Sequence, residues 1–284
     1  MRQTFLIGGA RAAAAAVCAA LLCMPGFAGA DVAEGGASDP AEVPAGDSVA
    51  KPPREDRVEF RDGEWGFSVV PYLWLAGARG TSTVNGQENG IDISFADILE
   101  NLDFALMGRM TARWRDLSIV VEPVYLSLGQ GVTVGPLRPR VGVKLLLIDM
   151  IARYGFDFAG GKERLDLVAG VRTVSLDLGL KLRNTGQKLS ADDSWYKPIV
   201  GLDYSSRWSD KWKFRAHGDV GGFDPSDDFT WSFDSQLGRA IGKRSTVLFG
   251  YKLLSMKHNW SGPPNQNGID MLFHGPVLGW DFAF

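Results

Sequence analysis

The sequence predicts an all-β protein: a transmembrane antiparallel up-and-down β-barrel of about ten strands, with eight or twelve as the neighbouring counts. Three observations carry that expectation. From Trp65 onward apolar and polar residues alternate with a period of two, the pattern of strands and not of helices. Most alternating stretches exceed the globular mode of about 5–6 residues and reach the 9–11 that a tilted strand needs to cross a bilayer. Tight turns also alternate with longer polar loops along the chain, as they do in outer-membrane barrels.

The chain opens with a different kind of segment. Arg2 and Arg11 precede the uncharged apolar run Ala12 to Cys23, Pro25-Gly26 breaks it, and Ala28-Gly29-Ala30 gives a small-residue cleavage pattern. Residues 1–30 therefore read as a secretory signal peptide, too short to be a spanning helix. Neither Cys18, after Val17, nor Cys23, after Leu22, has the small preceding residue of a lipoprotein site. Removing residues 1–30 takes away both cysteines, two arginines and no acid, so the net charge of −3 becomes −5. Thiol chemistry and disulfides go with them. Residues 31–64 are rich in Ala, Gly, Pro, Asp and Glu and nearly free of aromatics, the composition of a flexible periplasmic leader.

Residues 65–284 form the barrel. The expected strands are 65–83, 102–115, 117–131, 141–157, 164–183, 194–208, 211–222, 228–240, 245–258 and 270–284. Arg115-Asp116, Ala159 to Glu163, Ser209-Asp210 and Gly242-Lys243 mark short turns. The stretches 84–101, 132–140, 184–193 and 259–269 are the longer loops. Within 84–101, Ser94 and Asp97 make a box-like N-cap, and Phe95, Ile98, Leu99 and Leu102 share one helical face. A short turn of helix is expected there, folded into the barrel mouth or lying on its rim as structural packing.

Alternation alone does not say which face meets water. In a soluble barrel the apolar parity faces inward, and in a membrane barrel it faces lipid. Strand length, an aromatic content of 11% and the last residues favour lipid. Leu278, Trp280, Phe282 and Phe284 share one parity up to the final residue, with Gly279 facing the other way. This resembles the terminal signal read by the bacterial barrel-assembly machinery. The expected partners are thus outer-membrane lipid and, during biogenesis, that machinery, for a monomer in the cell outer membrane. Nucleic acid is not expected: 30 basic against 33 acidic residues gives no basic stripe.

Longer stretches resemble a known family. Pro71-Tyr72-Leu73-Trp74-Leu75-Ala76-Gly77 and the run Asp92 to Phe104 are similar to the opening of a proteobacterial outer-membrane β-barrel family of unassigned function, small porin-like barrels. Gly218 to Phe223, Asp228-Phe229-Thr230-Trp231 and His274-Gly275-Pro276 are similar to its closing half. The resemblance covers most of residues 65–284 and implies fold and location, with no activity. Lys144 and Met150 sit uneasily in their strand and leave its local register open.

No catalytic, cofactor-binding or metal-binding set stands out. The phosphate-loop and zinc-protease fingerprints and the C-x-x-C pair are absent. His217, between Arg215 and Asp219, reads as a hydrogen-bonding residue of the lumen. His258 and His274 fall about three residues out of step in a simple hairpin, about 10 Å apart, too far for a shared metal. Asp224, Asp227 and Asp228 read as a solvated acidic tip. The informative set is the inward parity: Arg109, Arg113, Glu122, Asp149, Arg153, Asp166, Arg172, Lys197, Asp203, Arg207, Lys213, Arg215, Asp219, Asp234, Lys252 and Asp281. Both signs interleave, as they must where an unpaired charge is costly. Glu122 is expected to pair with Arg113 across the Arg115-Asp116 turn. The functional expectation is a non-enzymatic barrel with a structural role or narrow passage for a small solute. Its rivals are a surface-exposed outer-membrane hydrolase and a soluble periplasmic ligand-binding barrel.

Overall fold

A computed structural model describes residues 65–84, 86–131, 139–182, 188–224, 228–261 and 267–284. The expected signal peptide and leader, and Asp227, lie outside the described residues. The chain runs β1 (Trp65–Trp74), β2 (Gly77–Val84), β3 (Gln87–Ile93), the short helix α1 (Phe95–Glu100), β4 (Leu102–Trp114), β5 (Leu117–Gly131) and β6 (Pro139–Phe158). It continues through β7 (Glu163–Leu182), β8 (Lys188–Arg207), β9 (Trp212–Asp224), β10 (Asp228–Ala240), β11 (Ser245–Ser261) and β12 (Asn267–Ala283).

Every neighbouring pair is antiparallel, and β1 pairs with β12 to close the sheet into a barrel. β1 and β2 pair with β12 in one continuous register, Trp74 opposite Val277 and Gly77 opposite His274, so they form a single stave interrupted at Leu75-Ala76. The barrel therefore has ten staves. β3 is an extension paired to β2 beyond the loop end of β4. It was expected as loop; the sequence pair Asn-Gly at 85–86 is a strong turn signal, and Gly86 has φ +77°. β8 also starts at Lys188 instead of 194, and β12 at Asn267 instead of 270, because both continue their neighbours' ladders beyond the membrane.

The two faces divide as a bilayer demands. Large apolar side chains point outward: Leu106 is 60% exposed and Phe249 63%. Charged side chains point inward, reversing the arrangement of a soluble barrel. On β6 the outer face is apolar from Phe156 to Leu146, about 25 Å of height at the usual strand tilt. Met150 is part of this lipid face, and Lys144, opposite Asp177, is exposed just above it, which settles the register of β6. Aromatic rings gather at both edges. Near the tight turns Trp65 stacks on Trp114 at 6.3 Å and Trp280 on Phe282 at 5.7 Å; near the loops Phe104 meets Tyr125 at 5.9 Å. The tight-turn end is the periplasmic end in barrels of this kind.

Candidate functional site: the lumen

In a closed antiparallel sheet the register decides what the inward parity builds. Here it lines up residues of one kind. Met107, Val124, Leu147, Val174 and Trp195 are successive Cα partners across β4 to β8 and form an apolar band inside the barrel. Trp74, Leu254, Met256 and Val277 continue it from β1, β11 and β12. Two residues toward the tight turns, Glu122, Asp149, Arg172 and Lys197 are partners in the same way and form a charged band. A further apolar row, Val120, Ile151 and Ile199, lies below it.

The charged side chains join into one network. Glu122 accepts from Arg109 Nε at 2.7 Å, from Tyr72 Oη at 2.8 Å and from Lys252. Arg109 then crosses the lumen from β4 to Asp234 on β10, 3.0 Å away. Arg215 donates to Asp234 at 3.0 Å and to Asp203. Asp203 also faces Arg153 at 3.4 Å and His217 Nδ1 at 3.2 Å. His217 Nε2 lies 3.1 Å from Asp219, which accepts from Ser232 and, at 3.1 Å, from Arg172. Arg172 grips Asp149 with two bonds of 2.8 and 2.9 Å and reaches Thr230 on β10, three staves away, at 3.0 Å. Lys197 reaches from the charged band to Asp228, at the loop end of β10, 2.6 Å away. Near the tight turns Arg164 serves Asp166 and Asp157, and Lys213 meets Asp281 at 2.6 Å. Gly155 makes the first of these possible: a Cβ there would lie 2.2 Å from the Arg164 guanidinium.

Of the residues expected in the lumen, Arg109, Glu122, Asp149, Arg153, Arg172, Arg215, His217 and Asp219 come together. Arg113 does not. The Arg115-Asp116 turn has only two residues and sets Trp114 opposite Leu117, so Arg113 faces Ser118 and Glu122 pairs with Arg109. Arg113 instead donates to the Arg115 carbonyl at 3.0 Å, at the tight-turn rim. His258 and His274 are five residues out of step, not three, and lie on opposite faces. His258 stacks on Trp195 at 4.4 Å inside, whereas the outward His274 accepts or donates to Tyr251 at 2.9 Å. Asp228 is bound to Lys197 and to His258 Nδ1 at 2.9 Å and so is no solvated tip. Among the described residues no group of three His, Cys, Asp or Glu could hold a metal. The apolar band was missed, although its residues share the parity of the charges at a spacing of two.

Gly279 faces inward, and Trp280, Phe282 and Phe284 outward, as their parity requires. Tyr72 lies over Gly279: a Cβ there would be 3.1 Å from the Tyr72 Cβ. The α1 capping box is present, with Asp97 N donating to Ser94 Oγ at 3.2 Å and Ser94 N to Asp97 at 3.0 Å.

Solved structures share this architecture. The outer membrane protease OmpT of Escherichia coli is similar over 78% of this chain and 97% of its own, at 12% identity and a TM-score of 0.51. The fold is that of an outer-membrane β-barrel. Lower in similarity are the translocator domain of the autotransporter NalP from Neisseria meningitidis and Ail, the attachment invasion locus protein of Yersinia pestis. The first covers 79% of this chain and 90% of its own at 13% identity and a TM-score of 0.41. The second covers 79% and 100% at 11% identity and 0.37. No family model matches the chain, and no curated protein matches it.

Proposed function

We propose that the chain serves in the outer membrane as a sealed barrel, a structural element of the envelope and not an open pore or an enzyme. The observation that carries this reading is the way cations span the lumen, Arg109 from β4 to Asp234 on β10 and Lys252 from β11 to Glu122 on β5. Each is buried, and separating either from its carboxylate would leave a charge uncompensated at a cost of about 3–5 kcal/mol. The apolar band lies above these crossings on β1, β4 to β8, β11 and β12 and confines the polar side chains at that height to the β9 and β10 side. Ten strands also lie near the filled end of the size range, since about eight are filled by side chains and open channels need about 16–18. In this reading residues 1–30 direct export, the barrel-assembly machinery inserts a monomer, and lipid is its permanent partner.

Purified protein in planar bilayers tests it. No steady conductance is expected from the unmodified chain, and large porin-like steps would overturn the proposal. A second reading, narrow passage of a small polar solute, draws support from the polar side chains that continue from Lys213 and Asp281 near the tight turns to Asp228 near the loops. Small flickering openings that grow when Arg109 and Arg172 are replaced by Ser would favour it.

A further inference from the structure

Helix α1 bears its apolar residues on one face, Phe95, Ile98 and Leu99, at the spacing that aligns side chains along a helix. None of them is buried, and Leu99 is 55% exposed. The position of the helix follows from Gly77. On β1 the odd-numbered residues Phe67, Val69 and Leu73 face lipid, while Trp74, Ala76 and Ala78 are buried within the barrel. Gly77 therefore faces outward. A Cβ on Gly77 would stand 3.1 Å from the Ile93 carbonyl and 3.6 Å from the Phe95 nitrogen. The chain thus enters α1 across the outer wall, not through the barrel mouth. Directly after the helix, β4 descends with Phe104 and Leu106 outward, 54% and 60% exposed, into the lipid belt.

We propose that α1 is an interfacial element, seated in the outer leaflet at the boundary between acyl chains and headgroups. Its occupant is lipid, because its apolar face leads into the lipid belt at Phe104 and Leu106, while the exposed Asp97 and Glu100 lie on the opposite side of the helix, toward the headgroup layer. The capping box holds the helix start in place, so the apolar face is presented by a formed element.

The inference rests on the outer-membrane reading, and one experiment separates the two. Residues 31–284 contain no cysteine, so single-cysteine variants of the mature chain can be labelled with a nitroxide without background. Leu99→Cys, Glu100→Cys and Leu106→Cys are refolded into phosphatidylcholine vesicles. Collision rates are then measured with oxygen, which concentrates in lipid, and with a water-soluble nickel chelate. The oxygen-to-nickel ratio at Leu99 should exceed that at Glu100 several-fold and approach that at Leu106. Equal ratios at Leu99 and Glu100 beside a high ratio at Leu106 would overturn the inference alone. A Leu99 label shielded from both reagents, which places α1 against protein, would also overturn it. A low ratio at Leu106 would overturn the membrane reading itself.

Discussion

Glu122 gathers three donors from three staves, Tyr72, Arg109 and Lys252, onto one carboxylate. Replacing it by Ala takes the carboxylate from buried Lys252 and leaves Arg109 with Asp234 alone, and a loss of about 3–5 kcal/mol is expected from the urea unfolding midpoint in lipid. Arg109→Ala in the same chain should recover part of that loss, since the two side chains share a bond. Arg113→Ala should add to it independently, because Arg113 is held at the rim. Tyr72→Phe isolates the third donor and should lose about 1.5–3 kcal/mol, the range for a hydrogen bond to a charged group. Parity alone was enough to put Glu122, Arg109 and Lys252 in the lumen, whereas Tyr72 was not foreseen there. Their partners were not legible, because a pairing depends on turn length, and one misjudged turn moves every ion pair along the strand. Contacts across the lumen, such as Arg109 with Asp234, lie further from the reach of sequence, since they join strands that never pair.

At the scale of elements, the stave made of β1 and β2 is interrupted at Leu75-Ala76, and Gly275 on β12 makes room for the backbone there. A Cβ on Gly275 would fall 2.0 Å from the Leu75 carbonyl oxygen. Gly275→Val is therefore expected to keep β1, β2 and β12 from closing, seen as loss of the heat-modifiable species on a gel. Helix α1 carries a pH dependence of known sign. Hydrogen bonds from the Ser94 hydroxyl and backbone hold the Asp97 carboxyl below the usual carboxylate range. A lowered value stabilises the folded helix above the ordinary pKa of about 3.9, and that contribution fades as pH falls through the lower folded value. A nitroxide on Leu99→Cys should thus keep its mobility from pH 7 to about 4 and gain mobility below that, whereas Asp97→Asn should remove the transition. The capping box was legible because its residues are local, and so were most strand cores. β3 was not, because Gln87 to Ile93 lacks a clean alternation and extends the sheet beyond the membrane, where neither face needs to be apolar.

The whole molecule depends on a seam between its two ends. Phe284 N donates to Phe67 O at 2.8 Å, Phe67 N returns a bond of 3.3 Å, and Ser68 Oγ donates to Asp281 at 2.7 Å. Contacts so distant in sequence are slow to form, so the seam is the step most exposed to failure. Deleting Phe284 removes both backbone bonds and a lipid-facing ring, and the yield of folded barrel in the membrane should fall. An unchanged yield would show that the ladder from Ser68 to Trp74 closes the barrel unaided.

A barrel held only by its ladder is a hoop, free to flatten into an ellipse without breaking a single backbone bond. The side chains that cross this lumen remove that freedom. Lys252 to Glu122, Arg109 to Asp234 and Arg172 to Thr230 each tie staves that are not neighbours in the sheet, so a flattening that draws those staves apart must stretch them. They brace the cross-section as spokes brace a wheel. The cross-section is then held by bonds through the lumen as well as by the wall itself.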